Sequence, residues 1–242
     1  MVLKFKPAAI VFDFDGTLLD SRQAHNEARK LLAKFYSIFG FNLDDGYLPF
    51  SRDFLTWLKN AGLNQFQVNL YFKLWNMIEM WQRPRIFNGA NELIDVLKSR
   101  NIVVGLLTNR SAYSANNAIV RSGLNWQKLN FIAVSKYEKS SLAISEKKHF
   151  DNQYFSDFSK PDPRAADSIR YFLKDLPGYP RSVWYIGDNL LDYYFSRDNN
   201  FSFAGVLSGD ITSIEIWEKA GVENVIDNIV GSDNGSFARY LY

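Results

Sequence analysis

Four short clusters combine residue types that can act on a common ligand. Asp13-Phe14-Asp15-Gly16-Thr17-Leu18 places two carboxylates two residues apart, directly after the apolar run Ala8 to Phe12. On a continuing strand both would share one face, and if the chain turns at Gly16 they still remain neighbours. The carboxyl end of a sheet strand is where open α/β sheets bind ligands. Thr108-Asn109-Arg110 follows a second apolar run, Ile102 to Leu107. A hydroxyl, an amide and free backbone N–H groups before a helix make a cradle for phosphate or another anion. In Ser159-Lys160-Pro161-Asp162-Pro163 the two prolines stiffen the backbone that carries Lys160, which helps to aim an ammonium at an anion. Gly187-Asp188-Asn189-Leu190-Leu191-Asp192 follows the run Val183 to Ile186. Gly187 permits a sharp turn, and Asp192 lies about one helical turn beyond Asp188. Singly, these motifs read as an Asp-Gly turn, two helix caps and a solvated lysine. Together, three follow strand ends and supply carboxylates, an anion cradle and one cation.

Composition narrows the chemistry. The 242 residues contain no Cys and two His, His25 and His149. Disulfides, thiolate nucleophiles and zinc–thiolate clusters are excluded, and a metal would be held mainly by oxygen. The formal charge is +2, with neither sign gathered into a block, so no nucleic-acid or acidic-membrane partner is expected. Charges interrupt the N-terminal segment, and no run approaches the roughly 18–20 apolar residues of a membrane span. The expectation is a soluble, cytoplasmic protein.

The elements that must position these residues are legible as short, continuously apolar runs, each followed by turn residues and a helical pattern. They are Ala8 to Phe12, Ile102 to Leu107, Phe131 to Val134, Val183 to Ile186 and Ser202 to Leu207. Unbroken hydrophobicity marks strands buried on both faces, and the alternation marks an α/β fold: a Rossmann-like parallel sheet with helices on both sides. Helices are expected after an Asn88 cap, over Ser111 to Ser122, from Asp162-Pro163 onward and over Ile211 to Ala220. Residues 21–87 break the alternation. Ala24, Ala28, Leu31, Phe35 and Phe39 keep helical spacing, as do Phe54, Leu58 and Ala61, then Phe66, Leu70, Leu74, Met77 and Trp81. The segment holds 14 of the 39 aromatic residues, and these are expected to form its own core. The expected organisation is an α/β domain of residues 1–20 and 88–242 with a helical cap domain, 21–87, inserted after the first strand.

Asp13-Phe14-Asp15-Gly16-Thr17-Leu18-Leu19-Asp20-Ser21, Thr108-Asn109, Lys160-Pro161 and Gly187-Asp188 with Asp192 resemble, in order, the four motifs of the haloacid dehalogenase-like superfamily. The branch resembled is the phosphoglycolate-phosphatase-like one, with a helical cap after the first motif. The resemblance implies a Mg²⁺-dependent phosphatase acting on a small phosphorylated metabolite. Asp13 would attack the phosphate monoester to give an aspartyl-phosphate. Asp15 would protonate the leaving oxygen and then activate water. At 4 Å and an effective dielectric near 20, a carboxylate and a phosphate charge repel by about 4 kcal/mol per pair. The implied answer is Mg²⁺ on Asp13, the Asp15 carbonyl and Asp188, which suits its preference for oxygen. Lys160 would offset phosphoryl charge and hold Asp13, Thr108 and Asn109 would bind phosphate oxygens, and Asp192 would support the site.

Dehalogenases of this fold lack the second carboxylate, so Asp15 favours phosphoryl transfer. A phosphomutase would use the same motifs, and a non-catalytic binding protein on this scaffold is the alternative of another class. Two departures stand out. Asp192 is followed by bulky Tyr193-Tyr194-Phe195, and the interval from Thr108 to Lys160 is long, its excess falling around Tyr137 to Ser159 as a surface loop or flap. His25 and Arg22 lie near the cap hinge, where the plainer expectation is an exposed first helical turn.

Overall fold

The computed structural model describes residues 7–43, 54–135 and 150–229. Among the described residues, seven strands form one parallel sheet: β1 (Ala9–Phe12), β2 (Val103–Ser111), β3 (Phe131–Ser135), β4 (Gln153–Ser156), β5 (Val183–Gly187), β6 (Ser202–Val206) and β7 (Val225–Ile226). Their order is β4-β3-β2-β1-β5-β6-β7. The chain builds outward from β1 to β4, then returns to place β5 on β1's free side, pairing Phe12 with Ile186. This reversal between β1 and β5 opens a crevice at their carboxyl ends, where Asp13 and Asp188 stand.

All four residues of β1 and all five of β5 are buried, which is why both read as unbroken apolar runs. Ile10 and Phe12 join a core layer with Leu93, Ile94 and Leu97 of helix α4 (Ala90–Ser99) and Ala115 and Ile119 of α5 (Ala112–Ser122). Ala9 and Val11 face the opposite layer. It contains Leu173 of α6 (Arg170–Leu173), Phe195 of α7 (Leu190–Asp198) and Trp217 of α8 (Ile214–Lys219). Helices on both faces complete the α/β fold. No described helix is long and apolar enough to cross a membrane.

Between β1 and β2 lie α1 (Arg22–Ser37), α2 (Phe54–Asn60) and α3 (Gln65–Gln82). They share a separate apolar cluster that includes Leu32, Tyr36, Leu58, Val68, Tyr71 and Trp75. The chain enters and leaves this insert along paired backbone: Asp20 N–H donates to the Arg85 carbonyl at 2.8 Å and Phe87 N–H to the Leu18 carbonyl at 2.9 Å.

The buried stripes of the insert differ in part from the expected ones: Ala24, Ala28 and Leu58 are buried as expected. On α1 the inner face is Ala24, Ala28, Leu32, Ala33 and Tyr36, while Leu31, Phe35 and Phe39 are exposed. On α3 it is Val68, Tyr71, Trp75 and Glu79, while Phe66, Met77 and Trp81 are exposed. Both helices carry apolar residues on more than one face, so periodicity alone left the choice open. Partners decided it: Tyr36 packs on Tyr71 and donates its hydroxyl to the Gln67 carbonyl at 2.6 Å. The aromatic excess is therefore only partly core.

Other boundaries moved for local reasons. The N-cap of α4 is Gly89 at φ +88°, not Asn88. The segment after Asp162 forms a 3-10 turn, Pro163–Ser168, before the short α6. Within the interval expected as a loop or flap, Gln153–Ser156 is the edge strand β4, and residues 136–149 lie outside the described residues. Of the bulky residues after Asp192, Phe195 is buried and meets the Tyr185 ring edge-to-face at 5.2 Å.

Gly105, in the middle of β2, sits directly under the Phe131 ring, where a Cβ would overlap ring carbons. Gly105→Ala should cost about 1–3 kcal/mol by overpacking, measured by denaturant unfolding, and Phe131→Leu in the same chain should return part of it. An undiminished midpoint in the single variant would contradict this packing.

Candidate active site

The turn after β1 is built to present carboxylates. Asp13 N–H donates to the Ile186 carbonyl at 2.8 Å, tying the nascent turn to β5. Gly16 takes φ +70°, and a Cβ there would overlap the Asp188 carboxylate. Gly209, in the loop after β6, closes on Asp188 in the same way. The Asp188 Oδ2 accepts from the Asp210 N–H at 2.7 Å, and the Ser208 hydroxyl donates to the Gly16 carbonyl at 2.7 Å. Two glycines thus let three loops converge on one carboxylate.

Lys160 is the centre of the site. Its ammonium donates to Asp13 Oδ1 at 2.5 Å, to Asp192 Oδ1 at 2.6 Å and to the Tyr185 hydroxyl at 2.7 Å, using all three hydrogens. The Tyr185 hydroxyl in turn donates to the Leu107 carbonyl at 3.0 Å. Burial alone would lower the Lys160 pKa, but Asp13 and Asp192 outweigh it and hold it well above its ordinary value. Asp192 also closes a capping box on α7: its carboxylate accepts from the Asn189 N–H while the Asn189 side chain accepts from the first turn. The Asn189 cap orients the helix, and the helix orients Asp192.

Asn109 is committed to the same centre. Its amide donates to the Lys160 carbonyl at 2.9 Å and accepts from the Lys160 N–H at 2.7 Å. The expected anion cradle is therefore divided: the Asn109 side chain sets the Lys160 backbone, and Thr108, buried beside it, accepts from the Arg110 N–H at 3.2 Å. Both residues lie on the strand itself, since β2 runs to Ser111 with an irregularity after Thr108. All seven expected side chains are brought to the carboxyl edge of the sheet.

Two neighbouring aspartates experience opposite environments. Burial pushes the Asp13 carboxyl up to about 8, outweighing the pull of Lys160. Asp15 is also desolvated, but Arg110 overcomes that and holds it below the ordinary carboxylate range. Arg110 Nε donates to Asp15 Oδ2 at 2.7 Å and Nη2 to Oδ1 at 2.6 Å, a side-on fork. Its other edge meets both oxygens of Glu79, from α3 of the insert. The His25 ring nitrogen stands 3.5 Å from Asp15 and 3.7 Å from Glu79, so His25 is buried and faces the site, contrary to the plainer expectation. Arg22 is exposed, as that reading had it.

Asp13, Asp188 and Asp192 bring one carboxylate oxygen each within 4.8 Å of one another. All three are buried, and one ammonium serves the group. Burial, with Asp210, Asp13 and Asp192 around it, pushes the Asp188 carboxyl well above its ordinary value. Such an oxygen-only excess of negative charge fits a hard divalent cation. In a second cluster, Asp15, His25 and Glu79, the Arg110 guanidinium bonds two of the three members.

Sequence reasoning missed Tyr185, Glu79 and Asp210. Tyr185 was hidden inside an apolar run. Glu79 carried a signal, as the one acid in register with Val68, Tyr71 and Trp75, where a buried charge requires a partner.

A switch-point crevice lined by these four motifs defines a hydrolase of the haloacid dehalogenase-like type, and the profile of that family matches residues 7–196. The chain belongs to the haloacid dehalogenase-like hydrolase family. It is 26% identical over 236 residues to the N-acetylmuramic acid 6-phosphate phosphatase of Pseudomonas putida, covering 91% of this chain and 92% of that one. In fold it is similar to a hydrolase from Pseudomonas syringae (TM-score 0.61, 20% identity, 91% and 93% covered). It is likewise similar to a predicted phosphatase from Clostridium acetobutylicum (TM-score 0.65, 17% identity, 93% and 95% covered).

Tyr185→Phe leaves the ring in place but takes an acceptor from Lys160 and a donor from Leu107. A loss of about 1–2 kcal/mol in stability is expected from these two buried bonds, read by thermal unfolding with circular dichroism. A variant as stable as the parent would show that the hydroxyl does not anchor Lys160.

Proposed function

We propose that this chain is a divalent-metal-dependent phosphatase that hydrolyses a small phosphate monoester through an aspartyl-phosphate on Asp13. The observation that carries the reading is the pair of aspartates two residues apart, one held by Lys160 and the other by Arg110. The named relative, a phosphatase of a sugar phosphate, supports the same class. Residues 1–20 and 88–242 would form the catalytic domain, and 21–87 a cap over it.

In the first step Asp13, as the carboxylate, donates an electron pair to phosphorus, the ester P–O bond breaks, and the leaving oxygen takes a proton from Asp15, which carries one only once it is freed from the Arg110 fork. In the second, Asp15 removes a proton from the water that attacks the phosphoaspartate, and Asp13 leaves as a carboxylate. Lys160 fixes the Asp13 carboxylate and offsets phosphoryl charge, while Thr108 and neighbouring N–H groups receive the phosphate oxygens. Mg²⁺ would be held by Asp13, the Asp15 carbonyl and Asp188, supplying the charge that lets an anionic nucleophile approach an anionic ester. Asp192 supports the site by sharing Lys160.

A Mg²⁺-dependent phosphate-release screen over small phosphorylated metabolites tests the reading. Asp13→Asn should abolish release, and Asp15→Asn should lower it by roughly 10²–10⁴-fold, the usual worth of a positioned acid–base group. Undiminished turnover in the Asp13 variant would refute the nucleophile. Isomer interconversion of a sugar phosphate without free phosphate would favour a mutase.

A further inference from the structure

Lys160 donates its three hydrogens in three directions, and the three acceptors are not equivalent. Asp13 and Asp192 are carboxylates, whereas Tyr185 offers a hydroxyl from the interior of β5. That hydroxyl gives its own hydrogen to the Leu107 carbonyl at 3.0 Å. With the hydrogen spent there, the oxygen can only accept from Lys160. Tyr185 is fully buried and its ring meets Phe195 at 5.2 Å, so the acceptor stands at a fixed point.

The carboxylate oxygens around the ammonium are nearly all engaged. Asp192 Oδ1 takes a lysine hydrogen, and Oδ2 takes the Asn189 N–H. Gly187 lies so close to Asp192 that a Cβ there would overlap its carboxyl atoms, which leaves that carboxylate no room to turn. Asp188 is engaged at both oxygens, by the Asn189 amide at 3.1 Å and the Asp210 N–H at 2.7 Å. Asp13 differs. Among the described residues Lys160 is the one side chain that donates to it, at Oδ1, and Oδ2 takes no protein hydrogen. A buried ammonium that loses the Tyr185 oxygen must pair its third hydrogen elsewhere. The carboxylate oxygen left to it is Asp13 Oδ2, the second oxygen of a group it already holds.

We propose that Tyr185 is a positioning residue for phosphoryl transfer: its hydroxyl takes the third Lys160 hydrogen, so that the ammonium holds Asp13 by one oxygen and leaves the other free to bond phosphorus. The inference rests on the proposed reaction through Asp13. A lysine that forked both oxygens would draw charge from each and cover the lone pairs that must reach phosphorus. A lysine tied to Tyr185 fixes the direction of the carboxylate and leaves its second oxygen open. A neutral acceptor suits the place, because a further carboxylate there would add negative charge beside Asp13, Asp188 and Asp192. Tyr185 touches neither substrate nor the reacting atoms and acts through Lys160.

Beryllium fluoride probes the free oxygen directly, because its trifluoride anion exchanges a water for one carboxylate oxygen and so mimics a phosphoryl group on an aspartate. With the full chain and Mg²⁺, fluorine NMR should show saturable binding that Asp13→Asn abolishes. Tyr185→Phe should raise the beryllium fluoride concentration for half-occupancy about ten- to a hundred-fold, the ordinary weight of one hydrogen bond to a charged group. In phosphate release from p-nitrophenyl phosphate the same variant should lower kcat by a similar factor with KM nearly constant, the pattern of an interaction that matters in the transition state alone. Gly105→Ala is the control for stability: its loss is of comparable size and lies in the middle of β2, so both readings should stay at the parent's values. Circular dichroism sets a temperature at which every variant is folded. Parent-like binding and kcat in Tyr185→Phe, or equal losses in Gly105→Ala, would overturn the proposal. A parent that shows no saturable binding overturns Asp13 as the acceptor and the positioning role with it. Binding that Tyr185→Phe weakens, in a parent that releases phosphate from no ester, overturns the reaction and leaves the positioning role standing.

Discussion

The site depends on one buried ammonium. Lys160 is buried, so each of its three hydrogens needs a protein acceptor, and Asp13, Asp192 and Tyr185 supply them. Each acceptor comes from a different element: the turn after β1, the first turn of α7, and the interior of β5. Lys160 itself arrives on the loop before the 3-10 turn and is held there by Asn109 at the end of β2. The turn after β1, the end of β2, the Lys160 loop and the β5–α7 segment are thus fixed relative to one another by the requirement that one charge be paired. Removing any acceptor leaves a desolvated donor, which is why hydrogen bonds in such a network are worth more together than singly.

A second buried cation repeats the logic a few residues away with a different outcome. Arg110 pairs Asp15 with Glu79, so the acidic residues of the crevice fall into two sets, one around each cation. The type of cation matters. A lysine ammonium is a point charge that can be shared among acceptors from three directions, whereas the planar guanidinium presents two edges and binds two carboxylates in one plane. Asp13 therefore keeps one oxygen outside its lysine bond, while both Asp15 oxygens are engaged. Burial raises Asp13, and the guanidinium overcomes burial at Asp15. Residues two apart on one turn acquire opposite tendencies without any difference in side-chain chemistry.

The sheet and most of the site were legible from the chain alone because both rest on local signals. Strands buried on two faces leave unbroken apolar runs, and residues at their carboxyl ends stand in the ligand crevice of an open α/β fold. Asp13, Asp15, Thr108, Asn109, Lys160, Asp188 and Asp192 were all placed by that rule or by the motifs. What escaped depends on contacts between segments. Tyr185 looks like any core aromatic until Lys160 is set beside it. The Asn109 amide reads as an anion ligand or a cap, and only the position of Lys160 shows what it holds. In α1 and α3 several faces are apolar, so the choice between Leu31 and Leu32, or Phe66 and Val68, waits on which helix packs against which. β4 was lost because an edge strand with half-buried Tyr154 and Phe155 lacks the continuous pattern of a central one.

The insertion point of the helices ties these observations together. The chain leaves the sheet a few residues after Asp15 and re-enters just before α4, so the insert is anchored beside the acid rather than at a remote edge. Glu79 of α3 meets one edge of Arg110, whose other edge is bonded to Asp15. The guanidinium cannot change one partner without altering its pull on the other, because Nη2 donates to both. Glu79 and Asp15 are thus coupled through a single planar group.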